Sequence, residues 1–323
     1  MIRVVSYLKS RTTIPRGIIS CMKDNLAKLK RNILLSDYST WRIGGAADLF
    51  AEPTSSIQIA SMACWAIQQG IPLHMLGAGS NVLISDISIE GLTLCTRRLQ
   101  GIELDQSSGC IEAQAGEPIP SLVRKAGRAG LSGLEWAIGI PGTVGGAVVM
   151  NAGAHNSCIA ENLTEVVVID PHYSESPFTI HPKDLDFDYR YSSLQKESLI
   201  VLSARFHLNP GFHPQALLKS TNHNLLNRRE TQPYKNPSCG SVFQNPDIQK
   251  VAILIEELGL KGTRVGGAQI SMVHGNFIVN TGGATAQDVN TLTLLVQRQV
   301  QAIYNTVLHS EVKLIGNFPS MNH

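Results

Sequence analysis

Two glycine-rich segments carry the strongest chemical signal in the chain. The first, Gly77-Ala-Gly-Ser-Asn81, follows an apolar run that reads as a strand. It lacks the third glycine and the following helix that a Rossmann dinucleotide fingerprint requires. Val82-Leu-Ile84 continues as strand-like sequence, so an anion here would be met by the loop amides themselves, in a backbone nest. The second segment, Gly139-Ile-Pro-Gly-Thr-Val-Gly-Gly-Ala147, is followed by Asn151-Ala-Gly153. Its glycines let another group approach the backbone closely. The apolar residues between them mark a shielded loop, because a solvated linker would carry serines and charges. Either loop alone reads equally as a tight turn in a crowded core, whereas the two together favour a bound cofactor with a diphosphate. A third segment, Asn236-Pro-Ser-Cys-Gly-Ser-Val-Phe-Gln-Asn-Pro246, puts the Cys239 thiol and the Ser241 hydroxyl two residues apart. On a strand they would share a face. The thiol is intrinsically the more acidic group, so chemistry alone favours Cys239 as a proton donor. Arg228, Arg229 and Lys235 stand just upstream, either as partners for a diphosphate or as a solvated basic face.

The elements that must position these segments are also legible. Thr54 and Ser55 can cap a helix with Ile57, Met62 and Trp65 roughly on one face, and Gly70 is placed to end it. Pro72 to Leu76 and Val82 to Ile84 read as strands around the first glycine loop. Gly91 to Gly116 alternates as strands do, and Ser121 to Ala129 reads as a helix. Leu163 to Leu208 is strand-rich, with turns at Asp170-Pro171 and Ser176-Pro177. The segment PGFHP at 210–214 reads as a hinge, with Pro214 suited to a first helical turn. Beyond it come a helix over Asp247 to Leu258, strands over Ala268 to Asn280 and a final strand over Glu311 to Ile315. Thr285-Ala-Gln-Asp288 resembles a capping box that opens a helix to about Tyr304.

The whole chain sets outer bounds. Its 323 residues are too many for one core, so two or three domains are expected. A formal charge of +2 excludes a broad electrostatic footprint for nucleic acid or anionic lipid. Cysteines at 21, 64, 95, 110, 158 and 239 form no C-x-x-C pair and no zinc spacing, so no metal site is expected and a reducing cytoplasm fits best. The longest apolar stretch, Leu134 to Ala154, is broken by Pro141 and glycines, which argues against a membrane span. Residues 1–24 form a basic extension, loosely like a transit peptide, with Arg3, Lys9, Arg11, Arg16 and Lys23 and no acid before Asp24.

The run GLEWAIGIPGTVGGAVVMNAGA at 133–154 resembles the UDP-N-acetylenolpyruvoylglucosamine reductase family. The resemblance extends through TWRIGG at 40–45, GAGSNVL, YRYS at 189–192, RRETQP at 228–233, CGSVFQNP at 239–246, GGAQIS, HGNFIVN and EVKLIG at 311–316, in family order. It implies an α+β protein. An FAD-binding domain of the PCMH, or vanillyl-alcohol-oxidase, type would span 25–210, in subdomains of about 25–98 and 99–210. An α+β substrate-binding domain would follow over 211–317. The implied reaction is NADPH-dependent, FAD-mediated reduction of a UDP-sugar enolpyruvyl ether.

The same resemblance implies catalytic roles for Arg190, as the cation facing developing charge, for Ser241, as the proton donor, and for Glu311. It implies cofactor contacts at Gly77, Gly79, Ser80, Asn81, Gly139, Gly142, Thr143, Gly145, Gly146, Asn151 and Gly153. Substrate contacts are expected at Tyr189, Arg229 and Asn245, with Gln244 a further candidate and His274 a structural or substrate-side residue. FAD is expected to be non-covalent and the protein a monomer. The family has two forms that differ in a substrate-covering loop bearing a tyrosine, and CGSVFQNP with its short spacing resembles the form lacking that loop. Two rivals stay open: another FAD oxidoreductase of the same fold, and an inactive binding homologue.

Overall fold

The structure, a computed structural model, describes residues 28–318, so the expected basic extension lies outside the described residues. Strand β1 (Lys30–Leu34) pairs antiparallel with β2 (Ala46–Ala51). Helix α1 (Ser56–Gln68) follows, its N-terminus capped by Ser55, whose hydroxyl accepts the Gln58 amide. Its buried face runs through Ile59, Met62, Ala63 and Ala66, the i, i+3, i+4, i+7 pattern of an amphipathic helix. Ile57, expected on that face, is 70% exposed, because it lies two positions from Ile59 and points to solvent. After β3 (Leu73–Leu76) and β4 (Val82–Ile84), strand β5 (Ile89–Cys95) lies parallel to both β2 and β3, giving the sheet order β1-β2-β5-β3.

A second, antiparallel sheet is built from β6 (Ile102–Asp105), β7 (Cys110–Gln114), β10 (Leu163–Ile169), β11 (Phe178–Ile180) and β12 (Ile200–His207), in the order β11-β10-β12-β7-β6. Between β7 and β10 come helix α2 (Ile119–Arg128), helix α3 (Val144–Val149) and a small hairpin of β8 (Gly153–Ala154) and β9 (Ser157–Cys158). Helix α2 begins two residues earlier than the sequence suggests. One apolar cluster runs from α1 and the first sheet through the buried residues of α2 and α3 to the second sheet.

The expected hinge at 210–214 leads into helix α4 (Pro214–Thr231), which buries few residues, chiefly Leu217 and Thr221. Helix α5 (Val251–Glu257) is shorter than expected at its N-terminus. Strands β13 (Arg264–Val265), β14 (Ala268–Ile270) and β15 (Ile278–Asn280) form a small antiparallel sheet. The capping box at Thr285 and Asp288 opens helix α6 (Ala286–Tyr304), and Asn305 closes it in the left-handed conformation. The last strand, β16 (Lys313–Ile315), begins two residues after Glu311 and does not join that sheet. It pairs in parallel with β4, returning the chain to its first sheet region.

The first and last parts of the chain share a core. Trp41, Ile43 and Leu83 pack with Val242, Phe243, Leu254, Val289 and Leu292. The Trp41 indole donates to the Ile278 carbonyl at 2.7 Å, and Asn280 Nδ2 donates to the Trp41 carbonyl at 2.9 Å. Among the described residues no helix is long and apolar enough to cross a membrane.

Candidate active site

The first glycine loop turns its carbonyls inward and its amides outward. Arg97 Nη2 donates to the carbonyls of Ala78 at 2.7 Å and Tyr38 at 2.8 Å. The Gly79 carbonyl accepts the Thr40 amide at 3.0 Å, and the Asn81 carbonyl accepts the Lys313 amide at 3.0 Å. The amides of Ala78, Gly79, Ser80 and Asn81 donate to no protein acceptor among the described residues. Free amides on a loop whose carbonyls are already bound form a cradle for an anion. Gly79 is indispensable to it: its φ is +65°, and a Cβ there would collide with the Tyr38 carbonyl oxygen.

The second loop closes on the first. A Cβ on Gly77 would come 2.6 Å from Thr143 Oγ1, and one on Gly142 would come 3.7 Å from Ser80 Oγ. Thr143 caps α3 by accepting the Gly146 amide. Both loops wall a cavity of about 570 Å³, with Gly77, Gly79, Ser80, Asn81, Gly142, Thr143, Gly145, Gly146 and Gly153 in its lining. Gly139 and Asn151, also expected to meet the cofactor, are outside that lining. Gly139 makes room for the Arg228 side chain, which a Cβ would strike. Asn151 is buried, and both ends of its side chain serve the protein: Oδ1 accepts the Ala160 amide at 3.2 Å, and Nδ2 donates to the Asp188 carbonyl at 2.9 Å.

The Asp188 contact places Arg190. Asp188 and Tyr191 exchange backbone hydrogen bonds at 3.1 Å each, so Tyr189 and Arg190 form the tip of a tight turn. Arg190 takes φ +57°, and its carbonyl accepts from Gln195 Nε2 at 3.0 Å. Its Nε donates to both Glu311 carboxylate oxygens, at 3.3 and 3.2 Å. The side chains of this pair are 22% and 11% exposed, so water screens the interaction weakly. Among the described residues its two Nη groups have no hydrogen-bond partner and are open to another anion. Burial pushes the Glu311 carboxyl above the usual carboxylate range, and the Arg190 charge works against that shift.

Glu311 is held by its backbone as well. Its amide donates to the Val242 carbonyl at 2.9 Å, and its carbonyl accepts from Asn81 Nδ2 at 3.0 Å. Ser241, next to Val242, lines the same cavity, and its hydroxyl has no protein partner among the described residues. Cys239 lines it too, but the segment is not a strand, because Gly240 turns the chain with φ +83°. Burial, then the Glu311 charge, pushes the Cys239 thiol well above its ordinary range. The intrinsic acidity that favoured the thiol is therefore lost in the fold.

The expected substrate contacts fare differently. Tyr189 is 49% exposed and outside the cavity lining, with the Arg190 guanidinium 5.0 Å from its ring centroid. Arg229 is exposed and outside the lining. Asn245 is also exposed, and its Oδ1 accepts the Val251 amide at 3.1 Å, capping α5. Gln244 and Lys235 are outside the lining as well. His274 accepts the Asn276 amide on Nδ1 at 3.2 Å and stacks edge-on against Phe277, a structural placement.

Arg228 and Lys313 are the cations on the wall besides Arg190. Arg228 Nη2 donates to Gln232 Oε1 at 3.2 Å, while its buried Nε has no partner. The spacing held a clue: 228 and 232 are four apart and share a helical face, whereas 229 lies about 100° around. An unpaired buried guanidinium nitrogen and a loop of free amides lining one cavity fit the diphosphate of FAD.

Comparison with known proteins agrees with this site. Residues 47–172 match an FAD binding domain, and residues 232–315 match the UDP-N-acetylenolpyruvoylglucosamine reductase C-terminal domain. The second match covers CGSVFQNP and the terminal Glu311 strand, which another FAD oxidoreductase would leave unexplained. A UDP-N-acetylenolpyruvoylglucosamine reductase of Synechococcus sp. (strain RCC307) is 54% identical over 290 residues, covering 90% of this chain and 95% of that protein. One from Synechococcus elongatus is 48% identical over 293 residues, covering 91% and 96%. The crystal structure of the Thermus caldophilus enzyme superposes with a TM-score of 0.75 at 36% identity, over 89% of this chain and 99% of that one. The chain belongs to the UDP-N-acetylenolpyruvoylglucosamine reductase family.

Proposed function

We propose that the protein reduces the enolpyruvyl ether of UDP-N-acetylenolpyruvoylglucosamine to UDP-N-acetylmuramate for peptidoglycan synthesis, with FAD resident and NADPH as hydride donor. The observation that carries this reading is the meeting of Arg190, Ser241 and Glu311 on a cavity that also presents the amide cradle. FAD, when bound, supplies the two-electron centre that a nicotinamide reduces and the substrate reoxidises. The amides of Ala78, Gly79, Ser80 and Asn81 and the Arg228 side chain would hold its diphosphate.

The free Nη edge of Arg190 holds the substrate carboxylate in a two-pronged contact. Hydride arrival at the terminal carbon of the enolpyruvyl group leaves negative charge on the carboxylate-bearing carbon, delocalised into the carboxylate that Arg190 faces. A second carboxylate at Arg190 competes with Glu311 for the guanidinium and pushes Glu311 further toward its neutral, hydrogen-bond-donating form. Ser241 then gives its hydroxyl proton to that carbon, and solvent returns a proton to the serine oxygen. Lys313 is a further cation for the UDP diphosphate.

One sample tests the reading. NADPH should bleach the flavin absorbance and UDP-N-acetylenolpyruvoylglucosamine should restore it without oxygen; restoration by oxygen or an alcohol alone refutes it. The same reading has the enzyme cytoplasmic and monomeric, with no nucleic-acid or membrane partner. It also has FAD dissociable, so denaturation should release all the flavin absorbance from the protein.

A further inference from the structure

Ser241 has no side-chain partner, yet a proton donor must be held within about 0.5 Å of its productive position. The main chain that follows it is held instead, by Asn276 on one edge and by residues 309–311 on the other. The Asn276 carbonyl accepts the Val242 amide at 2.9 Å, its Oδ1 accepts the Phe243 amide at 3.0 Å, and its Nδ2 donates to the Phe243 carbonyl at 2.8 Å. Asn276 is 3% exposed, so water cannot replace these contacts. The other side of the dipeptide is tied by the Glu311 amide, which donates to the Val242 carbonyl. On that edge Phe243 and Ser310 form an antiparallel bridge, and Asn276 stands in for a neighbouring strand on the opposite edge.

We propose that Asn276 is the positioning residue for protonation of the substrate carbon: its carboxamide fixes the Phe243 backbone, its main-chain carbonyl holds the Val242 amide, and together they set the aim of the Ser241 hydroxyl. The inference rests on Ser241 being the donor. A carboxamide suits the task because it offers an acceptor and a donor side by side and carries no charge. Alanine would leave a buried N–H and a buried C=O without partners. Aspartate would keep the acceptor but set a second oxygen against the Phe243 carbonyl, until protonation turned that oxygen into a donor.

The test separates the half-reactions in FAD-loaded wild type, Asn276→Ala, Asn276→Asp and Ser241→Ala. Flavin reduction by NADPH should stay within about threefold of wild type in the three variants, while reoxidation by substrate slows about 100-fold in Asn276→Ala. In Asn276→Asp the reoxidation deficit, taken as a ratio to wild type, should shrink about tenfold from about pH 8 to about pH 6 as the buried carboxyl takes up its proton. Glu311 and His274 are the titrating groups close by, and both are present in wild type, so the ratio cancels their titration. A deficit equal in both half-reactions, or independent of pH, overturns the proposal. If Ser241→Ala reoxidises normally, the donor assignment has failed. If it stalls while both Asn276 variants reoxidise normally, only the positioning role has failed. Should the variants lose FAD, amide exchange in the wild-type holoenzyme decides: the Phe243 amide, which the carboxamide accepts, should exchange at least about 100-fold more slowly than the Ser241 amide. Equal rates would overturn the brace.

Discussion

Ser241→Ala removes one hydroxyl from the cavity wall and leaves no protein hydrogen-bond partner behind among the described residues. Its cost to stability should therefore stay within about 0.5 kcal/mol, the range of a substitution that orphans nothing. Its cost to chemistry should be far larger. A positioned general acid contributes about 10²- to 10⁴-fold, or about 3 to 5 kcal/mol on the barrier, and a water entering the vacated space would set the lower end. The loss should fall on one half of the cycle, because NADPH reduces the flavin before any carbon needs a proton. Stopped-flow absorbance of the anaerobic holoenzyme reads both halves: rapid bleaching by NADPH, then stalled recovery with substrate. Cys239→Ala is the matched control. The thiol lines the same cavity, but burial keeps its proton tightly held. That variant should lose about 1 kcal/mol of stability from poorer packing and recover its colour within about twofold of the wild-type rate. Stalled recovery in Cys239→Ala with normal recovery in Ser241→Ala would refute the reasoning and move the donor to the thiol.

Arg228→Met should weaken FAD retention by about 1.5–3 kcal/mol, roughly 10- to 100-fold in dissociation constant, while exposed Arg229→Met should leave it unchanged; flavin released on dialysis measures both. Asp86 accepts the Ala286 and Gln287 amides at 2.8 and 3.2 Å, so Asp86→Ala should destabilise the docking of α6 by about 1 kcal/mol, read from the urea midpoint. Burial, then the Lys261 charge, holds His274 below the ordinary histidine value, so the unfolded chain takes up that proton first. Its contribution is full above about pH 6.5 and is lost as pH falls through the depressed value, so His274→Gln should flatten the acid side of the urea-midpoint profile.

Short-range chemistry made part of the fold legible. Ser55 and the Thr285/Asp288 box sit within four residues of the amides they satisfy, so the caps show in a local window. The glycine loops show for a similar reason, since a backbone that must be approached closely excludes side chains wherever it occurs. Helix α4 was legible only at its start, Pro214, because it buries chiefly Leu217 and Thr221, too little apolar periodicity to announce eighteen residues. Strand β16 was legible as a strand but not as the partner of β4, since parallel pairing with a segment some 230 residues away leaves no local trace. Asn151 and Asn245 were placed at ligands because a polar side chain near a glycine or proline turn fits two roles. Their hydrogen bonds to Asp188, Ala160 and Val251 assign them to the scaffold.

The scaffold also explains why two loops far from each other in sequence serve one reaction. Glu311 is tied to the first glycine loop, because Asn81 donates to its carbonyl and the Asn81 carbonyl accepts the Lys313 amide. Arg190 is tied to the second: Asn151 holds the Asp188 carbonyl, and Ser192 Oγ donates to the Val149 carbonyl at the end of α3 at 2.7 Å. The Arg190–Glu311 contact is thus the seam between two supports, each carrying one glycine-rich loop of the cavity lining. A diphosphate seated across both loops would fix their separation, and with it the geometry of the ion pair that receives the substrate carboxylate. Cofactor binding and alignment of the catalytic charges are, on this arrangement, one structural event.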